Sequence, residues 1–159
     1  MKKLVTYFSV SGTTEKLAED LAKAIEGDIY KIEPKIPYTD ADLNWRDKNS
    51  RSSVEMADEN SRPEIVENNP KIADYDVIFV GFPIWWYTAP SIIHTFLETY
   101  DFSNKKIVVF ATSGSSDLGN TINDIKKSLP ETAEVLGGCV LNHNPSVENL
   151  KNWVDGLNL

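Results

Sequence analysis

Four short apolar runs, residues 4–8, 77–80, 107–111 and 135–141, stand out along the chain, the last interrupted by Gly137 and Gly138. Runs of this length that stay apolar at successive positions predict strands buried on both faces. A fifth segment, residues 28–33, alternates instead, with Tyr30 and Ile32 on one face and Ile29, Lys31 and Glu33 on the other. It reads as a half-covered strand near a sheet edge. Between the runs, apolar residues recur every three or four positions: Leu17, Leu21 and Ile25; Ile93, Phe96, Leu97 and Tyr100; Ile122, Ile125 and Leu129; Val147, Leu150, Val154 and Leu157. Each set marks one face of an amphipathic helix. Strands alternating with helices favour parallel strands, right-handed crossovers and helices on both sides. The predicted fold is therefore α/β, a doubly wound five-stranded parallel sheet.

Residues 34–70 interrupt this pattern, being long, polar and rich in proline, asparagine and mixed charge. A packed excursion inserted into a single domain, residues 1–159, accounts for them better than a free linker. Residues 49–59 are expected to be helical, and Tyr38, Leu43 and Trp45 to anchor the rest. The 159 residues suffice for one core without metal or disulfide support. The single cysteine, Cys139, excludes an internal disulfide and a cysteine-rich zinc site, and its apolar neighbours predict a buried core position. A reducing, cytoplasmic setting follows. Sixteen basic against 24 acidic residues give a net charge of −8, which argues against non-specific binding to nucleic acid or anionic membranes. The first apolar run meets polar residues at Ser9, too soon for a signal peptide or a membrane span.

Ligands of a doubly wound sheet sit beyond the carboxyl ends of its strands, and three loops fall there. The first is Ser9-Val10-Ser11-Gly12-Thr13-Thr14. A helix start offers free backbone amides and the positive end of a dipole, Gly12 permits a tight turn, and hydroxyls add neutral donors. A phosphate monoester suits such a cluster, and a simple helix cap suits it equally. The lysine of a nucleotide-triphosphate loop is missing. The second loop holds Trp85, Trp86 and Tyr87 in succession, and no regular packing sends three consecutive rings into a core. Either they stack on a planar ligand, with the peptides of residues 83–88 bonding its edge, or they cover a helix or the excursion. The third loop, residues 112–119, is small and polar, so that its backbone can approach a ligand or merely cross over. Asp117 there serves a ligand or a turn. His94, in a predicted helix, and His143, in a loop, read as surface histidines, with His143 near enough the last strand's end to approach the ligand. Neither joins a G-x-S-x-G nucleophile motif.

On these residues the chain resembles the flavodoxin family over nearly its whole length. The first loop matches the family's phosphate motif, and Phe82-Pro83-Ile84-Trp85-Trp86, Ala89-Pro90 and Thr112-Ser113-Gly114 are similar to a flavodoxin-like subgroup. The resemblance implies strand order 2-1-3-4-5 and non-covalently bound FMN at the topological switch point. It implies that Ser9, Ser11, Gly12, Thr13, Thr14 and the Val10 amide hold the phosphate. Pro83, Ile84, Trp85, Trp86, Tyr87 and Thr88 would line the isoalloxazine, with Trp85 flanking it, while Thr112, Ser113, Gly114 and Gly119 would meet its pyrimidine edge. No catalytic residue or metal is implied. Electron transfer to redox partner proteins or small-molecule donors and acceptors is the implied role, with an FMN-dependent NAD(P)H or quinone reductase as the alternative. A phosphorylatable signalling domain of this topology would need acidic residues where Ser9, Gly81 and Phe82 stand.

Two departures from the family bear on that role. Residues 112–119 carry no aromatic side chain to cover the outer flavin face, which implies a more open cofactor. Trp86 stands where a glycine commonly allows a peptide to flip as the flavin is reduced. A non-glycine residue reaches positive φ at a cost of about 1 kcal/mol or more, which predicts weaker stabilisation of the one-electron-reduced flavin.

Overall fold

A computed structural model describes residues 1–113 and 117–159. Gly114, expected at the flavin edge, lies outside the described residues. Strands β1 (Lys3–Tyr7), β2 (Asp28–Lys31), β3 (Val77–Pro83), β4 (Lys106–Thr112) and β5 (Glu134–Val140) form one parallel sheet in the order β2-β1-β3-β4-β5. Helices α1 (Thr13–Ile25), α2 (Arg51–Ala57), α3 (Ser91–Thr99), α4 (Thr121–Lys126) and α5 (Val147–Asp155) complete the flavodoxin-like fold expected from the sequence.

Alternation along the central strands divides the core in two. Val5, Val77, Phe79, Val108 and Phe110 face α1 and α5, burying Leu17, Leu21, Leu150 and Val154. Leu4, Ile78, Val80, Ile107 and Val109 face the opposite way, against Ile93, Phe96 and Ile125 of α3 and α4 and against Ile65 of the excursion. Burial from both sides is why these strands read as unbroken apolar runs. β2 is an edge strand, and Ile29 is exposed on it.

Register fixes where the loops begin. Tyr7 of β1 lies opposite Gly81 of β3, and Pro83 lies opposite Thr112 of β4. Gly81 is required by packing, since a Cβ there would stand 2.1 Å from the Phe110 ring. Its carbonyl accepts the Phe8 N–H at 2.9 Å, so the chain leaving β1 starts from a fixed point.

Some expectations are corrected. Helix α4 stops at Lys126, and Leu129 packs on the core from beyond it. Val147 is 42% exposed and only Leu150 and Val154 of its set are buried, because a helix lying on a sheet buries a narrow stripe. Cys139 is half-buried, since β5 is an edge strand with β4 as its one neighbour in the sheet. His94 is half-buried, not a surface residue, because α3 turns it toward Ser128. Helical structure in the excursion is confined to Arg51–Ala57, capped by Ser50, whose side chain accepts from the Ser53 amide. Bonds from the Lys35 amide to the Glu64 carbonyl and from the Val66 amide to the Glu33 carbonyl, both 2.9 Å, clasp its base. Tyr38 anchors it, but Trp45 does not and is 67% exposed. The turns from residue 39 to 50 are held by their own short-range backbone bonds, such as Asp47 N–H to Asn44 O at 3.1 Å, and leave the indole outside. Among the described residues no helix is long and apolar enough to cross a membrane.

Gly81→Ala should destabilise the fold by about 1–3 kcal/mol, the usual effect of overpacking. Urea unfolding checks this, and a change below about 0.5 kcal/mol, the scale of inert surface substitutions, would contradict the packing account.

Candidate functional site

The loop after β1 turns into α1 at Gly12, which takes φ 89° and has nothing within 4 Å of the place a Cβ would occupy. A left-handed turn with open space above it is a position only glycine fills without strain. Among the described residues neither Ser11 nor Thr13 is the N-cap, which is Gly12 and makes no side-chain cap bond, so the cap reading of Ser11 and Thr13 does not hold. The first-turn amides therefore face outward with the positive end of a 13-residue helix behind them. Ser9 Oγ accepts the Gly12 N–H at 3.2 Å, and Ser11 Oγ donates to Thr13 Oγ1 at 3.2 Å, gathering three hydroxyls around the same turn. Val10 packs against the core. Lys16, the first basic residue after the loop, is paired with Asp20 at 2.7 Å, so the amides and hydroxyls make up the donor set. That chemistry fits a phosphate monoester.

The Thr14 hydroxyl departs from expectation. It is 2% exposed and lies 2.8 Å from Thr112 Oγ1, turned inward as a tie between the first and third loops, so that its amide alone faces the turn's opening. The second loop joins the third through the Ile84 N–H, which donates to the Thr112 carbonyl at 2.8 Å. Gly119, at φ 50°, lies so close to this second loop that a Cβ would stand 3.0 Å from the Tyr87 carbonyl. Asp117 accepts the Gly119 N–H at 2.8 Å, a turn-forming role. Thus the first, second and third loops meet along one edge of the sheet.

Trp85 sits among rings: Phe8 at 5.7 Å and Tyr38 at 5.5 Å between centroids, both edge-to-face. Tyr38 is itself fixed by a hydrogen bond to Glu55 and by the Arg51 guanidinium 3.8 Å above its ring. Burial first, and then that bond to Glu55, push the Tyr38 phenol well above its ordinary pKa, keeping it a neutral donor. Beyond Trp85 the chain closes a two-residue turn, with reciprocal bonds between Trp85 and Thr88 at 2.9 and 3.0 Å. Trp86 and Tyr87 take φ 49° and 64° there. Both values lie in the left-handed region that such turns demand and that asparagine or glycine usually fills. Trp86 therefore already holds the positive φ that the sequence reading assigned to a change on reduction, and the cost of about 1 kcal/mol or more is built into the resting fold. Thr88 Oγ1 donates to Asp124 at 2.5 Å and ties the turn to α4.

Trp86 and Tyr87 are 44% and 73% exposed. Rather than covering a helix, they line an apolar recess of about 250 Å³ with Ile84, Trp85 and Trp45. Sequence reasoning placed Trp45 in an anchor and missed this proximity, which no periodicity in residues 34–70 announces. It also missed Asn142, whose Oδ1 accepts the Ser113 N–H at 3.0 Å. The only available signal was its place just after the last strand. Asn142 and the exposed His143 line a cleft of about 150 Å³ with Thr13, Lys16 and Thr112.

A separate polar chain lies between α3 and α4. His94 Nδ1 is 2.6 Å from Ser128 Oγ, which donates to Glu98 at 2.7 Å, and Glu98 accepts from Arg62 Nε at 3.0 Å. Burial first, and then the Arg62 charge, lower the His94 pKa, while the hydrogen bond from Arg62 leads in lowering that of Glu98. This chain braces the excursion against α3 and α4.

An anion cradle of amides and hydroxyls, an aromatic turn and a small-residue loop at the switch point of a 2-1-3-4-5 sheet define a flavodoxin-like class of protein. A family model for flavodoxins matches residues 2–157, and the chain belongs to the flavodoxin family. A crystallised protein from Bacteroides eggerthii assigned as a flavoprotein is 46% identical, with 99% of this chain and 98% of that one covered at a TM-score of 0.93. Another, from Bacteroides uniformis, is 46% identical, covering 97% of each chain at a TM-score of 0.91. A flavoprotein from Lactobacillus acidophilus crystallised in complex with FMN shares the fold at 20% identity, covering 99% of both chains at a TM-score of 0.72. Comparison with curated proteins finds no match.

The depressed pKa of His94 gives a signed expectation. In the unfolded chain this histidine takes a proton near its ordinary pKa of 6.5, whereas the folded protein resists it, so stability falls as pH drops through that range. Glu98 acts only below the ordinary carboxylate range. Chemical denaturation should show the wild type losing stability between about pH 7.5 and 5.5 and His94→Gln losing much less of it. Equal slopes for the two proteins would contradict a half-buried histidine that resists protonation.

Proposed function

We propose that this chain is an FMN-binding redox protein that carries electrons through non-covalently bound FMN, working as one flavodoxin-like unit with residues 34–70 inserted. The observation that carries this reading is the convergence of the three loops, through the Thr14–Thr112 and Ile84–Thr112 bonds and the Phe8–Trp85 contact. The Lactobacillus acidophilus relative crystallised with FMN supports the choice of ligand. Bound FMN supplies the redox chemistry, and the protein binds and orients it.

In this reading the phosphate sits on the amides of residues 10–14 with the hydroxyls of Ser9, Ser11 and Thr13. Thr14 holds the third loop in place through its side chain. Trp85 would flank the isoalloxazine, the peptides of residues 83–88 would line it, and Thr112, Ser113 and Gly119 would meet its pyrimidine edge. The net charge of −8 disfavours adding negative charge to the bound cofactor and so lowers its potential. Partners are redox proteins or small-molecule donors and acceptors in a reducing cytoplasm, consistent with a single cysteine.

Titration of the apo-protein with FMN and with riboflavin tests the site. Each charge-assisted bond to a phosphate is worth about 1.5–3 kcal/mol, so Thr13→Ala should weaken FMN binding about 10- to 100-fold. Riboflavin, lacking the phosphate, should change less than about twofold. Equal losses for both ligands would place the phosphate elsewhere, and a wild-type protein that takes up no FMN would overturn the reading. Anaerobic addition of NAD(P)H to the loaded protein then separates the roles: no bleaching is expected of a carrier, and rapid bleaching would establish the reductase alternative.

A further inference from the structure

Trp45 is a large aromatic residue left 67% exposed, with the Arg46 guanidinium 5.0 Å from its ring centroid. It is not on a loose tip. Asp42, three residues earlier, accepts the Thr39 N–H at 3.0 Å, and its carbonyl accepts the Ser52 N–H at 3.0 Å, tying this turn to α2. Four of the five residues lining the recess are aromatic: Trp45, Trp85, Trp86 and Tyr87, with Ile84 the fifth. Among the described residues Trp45, Trp86 and Tyr87 make no ring contact with one another, and the Arg46 guanidinium takes up one face of Trp45, which leaves the other for a ring. The recess, about 250 Å³, is just under the roughly 300 Å³ at which pockets begin to hold a drug-sized molecule, which suits a flat ring system and not a whole nucleotide.

Two further observations point to a function for this aromatic wall. The turn places Trp86 and Tyr87 at φ 49° and 64°, where large side chains are strained, and strain maintained at a concave site points to use of the rings. Residues 112–119, which border the flavin edge in the proposed function, contain no aromatic side chain. The aromatic side chains beside the flavin then come from the second loop and the excursion, which meet in this recess through Trp85 and Trp45.

We propose that Trp45 is a positioning residue for the flavin, forming from residues 34–70 an aromatic wall over the isoalloxazine ring beside Trp85 and the turn at residues 85–88. The inference rests on the FMN reading above. Flat rings stack on aromatic faces, and a stacked tryptophan quenches flavin emission and limits access of solvent to the ring. The excursion then has a role at the cofactor in addition to its packing against α3.

Fluorescence titration of apo wild type, Trp45→Ala and Trp45→Phe with FMN and with riboflavin tests the proposal. Trp45→Ala should raise the Kd for both flavins about 2- to 10-fold, the scale of one aromatic pair, and should raise the residual emission of the bound flavin. Trp45→Phe should restore most of both. Unchanged affinity and emission in Trp45→Ala would overturn the wall while leaving the FMN reading intact. Weaker binding with unchanged emission would also overturn it, by assigning Trp45 a structural role alone. Failure of the wild type to bind FMN would overturn the FMN reading itself, and the wall with it. Because Trp45 is exposed, both variants should fold; should Trp45→Ala unfold, Trp45→Phe decides, with emission at or near the wild-type value supporting the wall and fully unquenched emission overturning it.

Discussion

The candidate site depends on the register of β3 between β1 and β4. Parallel pairing sets Tyr7 against Gly81 and Pro83 against Thr112, so three chain segments far apart in sequence leave the sheet at one edge. Burial on both faces specifies that register, because a slip by one residue would exchange the side chains facing α1 and α5 with those facing α3 and α4. Gly81 adds a local lock, since only the absence of a Cβ admits the Phe110 ring. The buried Thr14–Thr112 bond then converts strand register into loop register. Breaking it by removing one hydroxyl would leave the other buried without that partner, which is costly in an apolar surrounding.

The second loop shows where local preference gives way. A two-residue turn favours asparagine and glycine, yet Trp86 and Tyr87 occupy its positive-φ positions. The turn persists because it is held on several sides: by the Trp85–Thr88 bonds, by Thr88 on Asp124, and by Trp85 wedged against Phe8 and Tyr38. Tyr38 in turn is braced by Glu55 and Arg51 of α2. The excursion is therefore part of the scaffold that aims the aromatic turn, and its own base is clasped to the end of β2 through Lys35 and Val66.

Much of this was legible in the sequence for identifiable reasons. The central strands were visible because they are apolar on both faces, and α1 because its apolar face and the glycine before it agree. The loops after β1, β3 and β4 were visible as departures from those runs. The end of α4 was not, because Leu129 keeps helical spacing while the chain has already turned out of the helix. Trp45 was misplaced because an isolated tryptophan in a polar segment carries no periodicity to say which way it faces. The inward turn of Thr14 was hidden because a buried threonine tie and an exposed threonine donor have the same spelling. Asn142 and His143 reach the cleft beside Thr13 only through the fold, since β5 lies at the far side of β4 from the loop they approach.

The most direct measurement of the central claim is an NMR titration of the uniformly nitrogen-labelled protein with FMN, following every assigned backbone amide. The account predicts that the largest shifts appear together in three separated groups, at residues 10–15, 84–88 and the loop after β4, saturating with one binding constant. Shifts confined to a single loop, or centred instead on the His94–Ser128 region between α3 and α4, would contradict it.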